Sequence, residues 1–115
     1  MSYKNKEDEK KYQKEHYLRN KELYKKRASI SRELLRKRNS EYVQDIKQSN
    51  PCLDCGGYFH YSQMDFDHIG SNKSNTISRM SNSSTSLKKI KEEIDKCELV
   101  CSNCHRLRTW NRLQN

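Results

Sequence analysis

Two short cysteine pairs, Cys52-Leu53-Asp54-Cys55 and Cys101-Ser102-Asn103-Cys104, stand 45 residues apart in this chain. Two thiolates at this spacing can chelate one tetrahedral ion while the backbone turns tightly, and two such knuckles complete a four-sulfur set. Zinc suits that set, being redox-inert, and four soft ligands leave no open coordination position. The expected ion is therefore structural. A redox CxxC needs a strand-to-helix setting in a larger α/β fold, which is absent here, and unrelated thiols would rarely fall into two matched pairs. Between the knuckles lies Met64-Asp65-Phe66-Asp67-His68-Ile69, and His105 directly follows the last cysteine. A neutral imidazole can exchange protons near pH 7, and a carboxylate is a hard ligand for a divalent cation.

These residues need elements to hold them. Residues 8–47 contain no Gly or Pro and are rich in Lys, Glu, Arg and Leu, which predicts one long helix or two shorter ones broken near Ala28–Ser31. Tyr17, Leu18, Tyr24, Ile30, Leu34 and Leu35 form a thin apolar stripe without heptad register, so no long coiled coil is expected. Tyr3, Tyr12, Tyr17 and Tyr24 alternate with basic residues, which suits either nucleic-acid contact or an amphipathic face built from Tyr. Pro51 ends the helical pattern. Tyr58–His60 and Met64–Ile69 can form strands, and the Ser/Asn-rich stretch 70–86 reads as a loop. Ser84, Thr85 or Ser86 can cap a helix whose Leu87, Ile90, Ile94 and Cys97 make a narrow apolar stripe. Cys97 reads there as a small core residue. Glu98–Val100 should form a strand, followed by a terminal helix from Ser102 or Asn103 through Asn111, with Arg112 just past its end.

The 115 residues have room for one compact domain plus an extension. Only 31% are apolar, 34% are charged, and the mean hydropathy is −1.28, so a hydrophobic core alone cannot organise the whole length. The cysteines are the obvious staple. The first 25 residues contain no apolar run, and no later stretch approaches the roughly 18 residues of a membrane span. An intracellular, soluble protein with reduced cysteines is expected. Of the net charge of +9, residues 1–47 carry +7 and residues 48–115 carry +2. A basic helical arm (1–47) beside a nearly balanced domain (48–115) suggests a polyanionic partner, although a merely solvated helix would show the same charge.

The combination of a CxxC knuckle, DFDH and Lys96-Cys97-Glu98-Leu99-Val100-Cys101-Ser102-Asn103-Cys104-His105-Arg106 resembles the HNH endonucleases, in particular their phage-type branch. The likeness covers residues 51–112. It implies an α+β class built on a zinc-stapled ββα-metal (His-Me finger) domain that hydrolyses nucleic-acid phosphodiesters. The products expected from the family are 5′-phosphate and 3′-hydroxyl ends, with DNA as the expected substrate and RNA as the other candidate. In this scheme His68 is the general base, and Asp67 and His105 hold one divalent ion, Mg²⁺ by default with Mn²⁺ or Ni²⁺ also suited. Asp65, which shares strand parity with Asp67, either supports the site by orienting an arginine or faces solvent. Lys96 stands where the family usually has its middle Asn, which braces the loop holding the base. Asn103 is the candidate to cap the last helix or orient His68. Lys73, Arg106, Arg108 and Arg112 are candidate phosphate contacts, the arginines alternatively complementing the helix C-terminus. His60 and His16 read as surface residues. The protein is expected to act as a monomer or weak dimer, and its Lys, Asn and Ser content fits an AT-rich, viral genome. The rival reading is a zinc-dependent nucleic-acid-binding module without catalysis, which would not need the Asp67, His68 and His105 set.

Overall fold

A computed structural model describes residues 6–114; Tyr3 lies outside them. The elements run α1 (Lys6–Arg19), α2 (Lys21–Ser49), a 3₁₀ turn (Tyr61–Gln63), β1 (Met64–His68), α3 (Ile77–Ser81), α4 (Leu87–Ile94), β2 (Cys97–Cys101) and α5 (Ser102–Gln114). The class is α+β, mostly helical, with one two-stranded antiparallel sheet. β1, β2 and the helix that follows supply the expected order of two strands and a helix.

The chain divides into two compact units, one ending at Glu33 and the other beginning at Leu34. In the first, the break between α1 and α2 falls at Asn20 rather than near Ala28–Ser31. The Asn20 amide donates to the His16 carbonyl at 2.9 Å, closing α1 with a local side-chain bond. Tyr17 and Tyr24 stack with ring centroids 5.6 Å apart, and the Tyr24 hydroxyl meets His16 Nδ1 at 2.9 Å.

The second unit takes in residues 34–47, which the charge pattern assigns to the arm. Val43 packs in a core with Ile77, Met80 and Ile90, and Tyr42, Phe66, Ile94 and Cys97 close around it. Asn39 is fully buried, and its amide nitrogen donates to the carbonyls of Ser83 and Thr85 at 2.8 Å each. A buried amide is tolerated only when satisfied in this way. Those bonds explain why the 70–86 stretch is not simply a loop. Thr76 caps α3 by accepting from Arg79 N–H, and Ile77 and Met80, three apart, face the core. Cys97 packs against this core half-buried, as the first residue of β2 and not as part of the α4 stripe.

A second core holds Cys52, Met64, Val100 and Cys101, with Phe59, Leu99 and Cys104 against it. β1 pairs with β2 from Met64↔Cys101 to His68↔Cys97. Tyr58–His60 forms no strand; His60 instead caps the 3₁₀ turn through Nδ1, accepting from Ser62 N–H at 3.2 Å. Ser86 caps α4, accepting from Lys89 N–H. α5 runs on to Gln114, so Arg112 lies inside it. Among the described residues, no helix is long and apolar enough to cross a membrane.

Candidate functional site

The four cysteines converge at the base of the sheet, their sulfurs all within 4.8 Å of one another. Tetrahedral zinc–sulfur bonds of about 2.3 Å place the sulfurs about 3.8 Å apart, inside that limit, so the cluster could hold such an ion. Backbone N–H groups already point at the sulfurs. Cys101 N–H donates to Cys52 Sγ at 3.2 Å and Cys104 N–H to Cys101 Sγ at 3.4 Å. Gly56 turns the first knuckle at φ +74°, a conformation costly for any side chain, while its N–H donates to the Cys52 carbonyl. Burial opposes charge on Cys52, but donation from the Cys55 and Cys101 N–H groups outweighs it and brings its pKa down to about 6. Cys104, hydrogen-bonded first of all to Cys101, is pushed up to about 12. One thiolate forms readily and its neighbour resists, so ionising all four needs the charge of a bound cation.

Above this staple, strand alternation sends Asp65 and Asp67 toward α5. His105 Nδ1 meets Asp65 Oδ2 at 3.0 Å, and its Nε2 lies 3.6 Å from Asp67 Oδ1. The first contact is a hydrogen bond that fixes the proton on Nδ1 and frees the Nε2 lone pair. The second is too long for a good hydrogen bond but is a spacing that two ligands of one ion can adopt. Asp65 therefore supports His105, not an arginine.

The arginines belong to Asp67. Arg112 contacts both of its oxygens, at 3.1 and 2.7 Å, and Arg108 Nη1 donates to Oδ2 at 3.0 Å. Arg108 also forks onto Asp54 at 2.6 Å twice and reaches Glu98 at 2.9 Å. Asp67 and Glu98 face each other across the sheet, a like-charge pair that this guanidinium bridges. The Arg112 guanidinium first, then Arg108, overcomes burial and holds the Asp67 carboxyl below the usual carboxylate range. Arg108 and Arg112, candidates for phosphate in the sequence, bond carboxylates in this structure. Arg106 is exposed and has no carboxylate partner among the described residues.

His68 has a different environment. Its Nε2 lies 2.8 Å from Glu93 Oε2, and Glu93 is buried, its side chain 3% exposed. Ser74 N–H donates to the same oxygen at 3.1 Å, and Lys96 Nζ lies 3.0 Å from Oε1. Burial opposes charge on Glu93, yet Lys96, Ser74 and His68 outweigh it and bring its pKa down to about 2. Lys96 Nζ also donates to the Asn72 carbonyl and to Ser74 Oγ, at 3.0 and 3.1 Å, bracing the loop beside His68. Asn103 sits exposed in the first turn of α5 and is not among the groups holding the imidazole.

A cleft of about 280 Å³ opens where these parts meet. Asp65, His68 and His105 line it, with Lys47 and Lys73 at its walls and Phe66 and Ile77 among its apolar residues. The Lys47 ammonium lies 5.6 Å over the Phe66 ring, and burial, partly offset by Asp65, lowers its pKa. Sequence reasoning missed Glu93 and Lys47. Glu93 stands three residues after Ile90 on the stripe that faces the core, and an acid at such a position was the available signal. Lys47 carried none, because one lysine in a basic helix looks like any other.

No family model, no curated protein and no solved structure matches this chain. The site must be read from its own residues.

Proposed function

We propose that this chain is a metal-dependent endonuclease of the HNH type that nicks DNA. The observation that carries the reading is the single cleft on which an imidazole backed by a carboxylate (His68), a second imidazole backed by a carboxylate (His105) and two lysines converge. A non-catalytic binder needs the lysines but neither pair.

In this reading Lys47, Lys73 and Arg106 neutralise and hold the phosphodiester. With His68 Nε2–H donating to Glu93, Nδ1 is the nitrogen that takes a proton from the attacking water. The water oxygen forms the new bond to phosphorus while the bond to the 3′ oxygen breaks. Asp67 and His105 fit a divalent ion, whose contribution when bound is to offset charge on the phosphate and the departing oxygen. Arg108 and Arg112 keep Asp67 ionised for that task, and Asp65 keeps the His105 Nε2 lone pair available. Among the described residues Asp67 Oδ1 accepts a hydrogen bond from Arg112 only, leaving it a lone pair for an ion.

The test is supercoiled-plasmid nicking by the zinc-loaded protein with Mg²⁺ or Mn²⁺ against EDTA. His68→Ala and His105→Ala run alongside, with zinc content and circular dichroism confirming their fold. Metal-dependent nicking that disappears in both variants is the expected outcome, with a loss of about 10²- to 10⁴-fold for His68→Ala. Tight DNA binding without nicking, across several metals and DNA structures, would assign the chain to the binding modules instead.

A further inference from the structure

We propose that Glu93 is a positioning residue that locks the His68 ring in its Nε2-protonated tautomer, and that Lys96 and the Ser74 N–H exist at this site to hold Glu93 in place. The role in the reaction rests on the nuclease reading; the tautomer does not.

α4 has an oddity. Ile90 lies in the core with Ile94 packed against it, and Glu93 shares their face, with its side chain 3% exposed. An apolar residue there would avoid the desolvation of a carboxylate, which is large for any buried charge. Glu93 is instead satisfied by three groups from three parts of the chain. They are His68 on β1, Ser74 in the loop that follows, and Lys96 just before β2. Among the described residues Lys96 is its only formally cationic partner, and the ion pair already balances its charge without the imidazole. His68 is therefore not needed to neutralise Glu93. The dependence runs the other way: a carboxylate only accepts hydrogen bonds, so the ring nitrogen facing it must carry the proton.

That constraint decides which nitrogen has a lone pair. With Nε2–H committed at 2.8 Å, the lone pair sits on Nδ1. When Nδ1 takes the proton from water, the Nε2–H stays where it is, and the imidazolium remains bonded to Glu93. No proton passes to the carboxylate. Other charged groups on the His68 cleft are Lys47, Asp65, Lys73 and His105. None of them has a hydrogen bond to the His68 ring, so among the described residues Glu93 is the side chain that sets its orientation.

The test uses Glu93→Leu and Glu93→Asp in the full chain. Leucine keeps the face of α4 packed, and it leaves Lys96 and the Ser74 N–H without their partner, so the variant folds with reduced stability. The expected result is a folded Glu93→Leu with a lower melting temperature, kcat for nicking reduced about 10²-fold below that melting temperature and KM for DNA little changed. Glu93→Asp should recover part of the rate. Nitrogen-15 shifts of the His68 ring at a pH where it is neutral should show one tautomer in wild type and a mixture in Glu93→Leu. A single unchanged tautomer in folded Glu93→Leu, or wild-type kcat in that variant, would overturn the proposal. Because the ring signals are read without substrate, a locked wild-type tautomer released by Glu93→Leu in a protein that never nicks would support the positioning and sink the nuclease reading alone.

Discussion

Two histidines face two carboxylates across β1, and the pairs differ in where the carboxylate lies. Glu93 meets His68 from a buried position, 3% exposed, with a lysine and a backbone N–H already on it. Asp65 meets His105 at a similar distance, 3.0 Å, but is 41% exposed and the His105 ring 34% exposed. The buried pair is rigid because separating its partners leaves a desolvated hydrogen-bonding group unsatisfied. In the exposed pair water can replace either partner, so its geometry is adjustable. That division fits a base that must be preorganised and a metal ligand that must adapt as an ion and a phosphate arrive.

Removing what both pairs share should have the largest effect. Both histidines are set by β1 and by β2 with its following helix, which the two knuckles staple together. Stripping zinc with a strong chelator, or Cys101→Ser, should unfold the unit beginning at Leu34, since structural zinc in small domains contributes about 10–16 kcal/mol. Circular dichroism with zinc content measured in parallel should show helix and strand signal lost together. Retention of a cooperative melt without zinc would mean that the two cores suffice.

Changing the exposed pair separates the two designs. Asp65→Asn should weaken divalent-ion affinity about 10-fold, because the ring loses the partner that fixes its tautomer. The change in stability should stay within about 1 kcal/mol, as for other exposed pairs. Mn²⁺ titration followed by electron paramagnetic resonance reads the first quantity, and thermal melts read the second. A large fall in melting temperature would show Asp65 to be structural.

Acid should act on the buried pair more gently. Glu93 has a folded pKa of about 2 against an ordinary 4.5. A depressed carboxyl contributes stability that is fully present above about 4.5 and is lost as pH falls toward about 2. Zinc release in acid would mask this in wild type alone, so the comparison is with Glu93→Gln. The stability advantage of wild type over that variant should shrink across this window, measured by denaturant melts at several pH values. An advantage independent of pH would show that Glu93 contributes by packing and not by charge.

Much of the frame was legible in the sequence, and the missed parts share a cause. Met64–Ile69 and Glu98–Val100 read as strands and are observed as Met64–His68 and Cys97–Cys101, and α4 follows from apolar spacing, with Ser86 the cap among the three candidates. α3 was hidden because only Ile77 and Met80 mark it within a Ser/Asn-rich stretch, and their partner Val43 lies more than 30 positions earlier. The start of the compact unit was misplaced for the same reason. Charge varies smoothly through α2, whereas Asn39 and Val43 acquire meaning only when residues 77–90 fold onto them.

The sequence by itself determined the cysteine knuckles, the class, the Asp-His strand and the set from which a site could be drawn. Each depends on spacing within a few residues, where bond geometry fixes which groups can meet. Tertiary structure alone decided the partnerships. Arg108 joins Asp54 from 54 positions away, His105 joins Asp65 from 40, and Glu93 joins His68 from 25. Carboxylates are alike in sequence, and Asp65 and Asp67 share even their strand face. What distinguishes them is which α5 side chain reaches each, and how much water is left when it arrives.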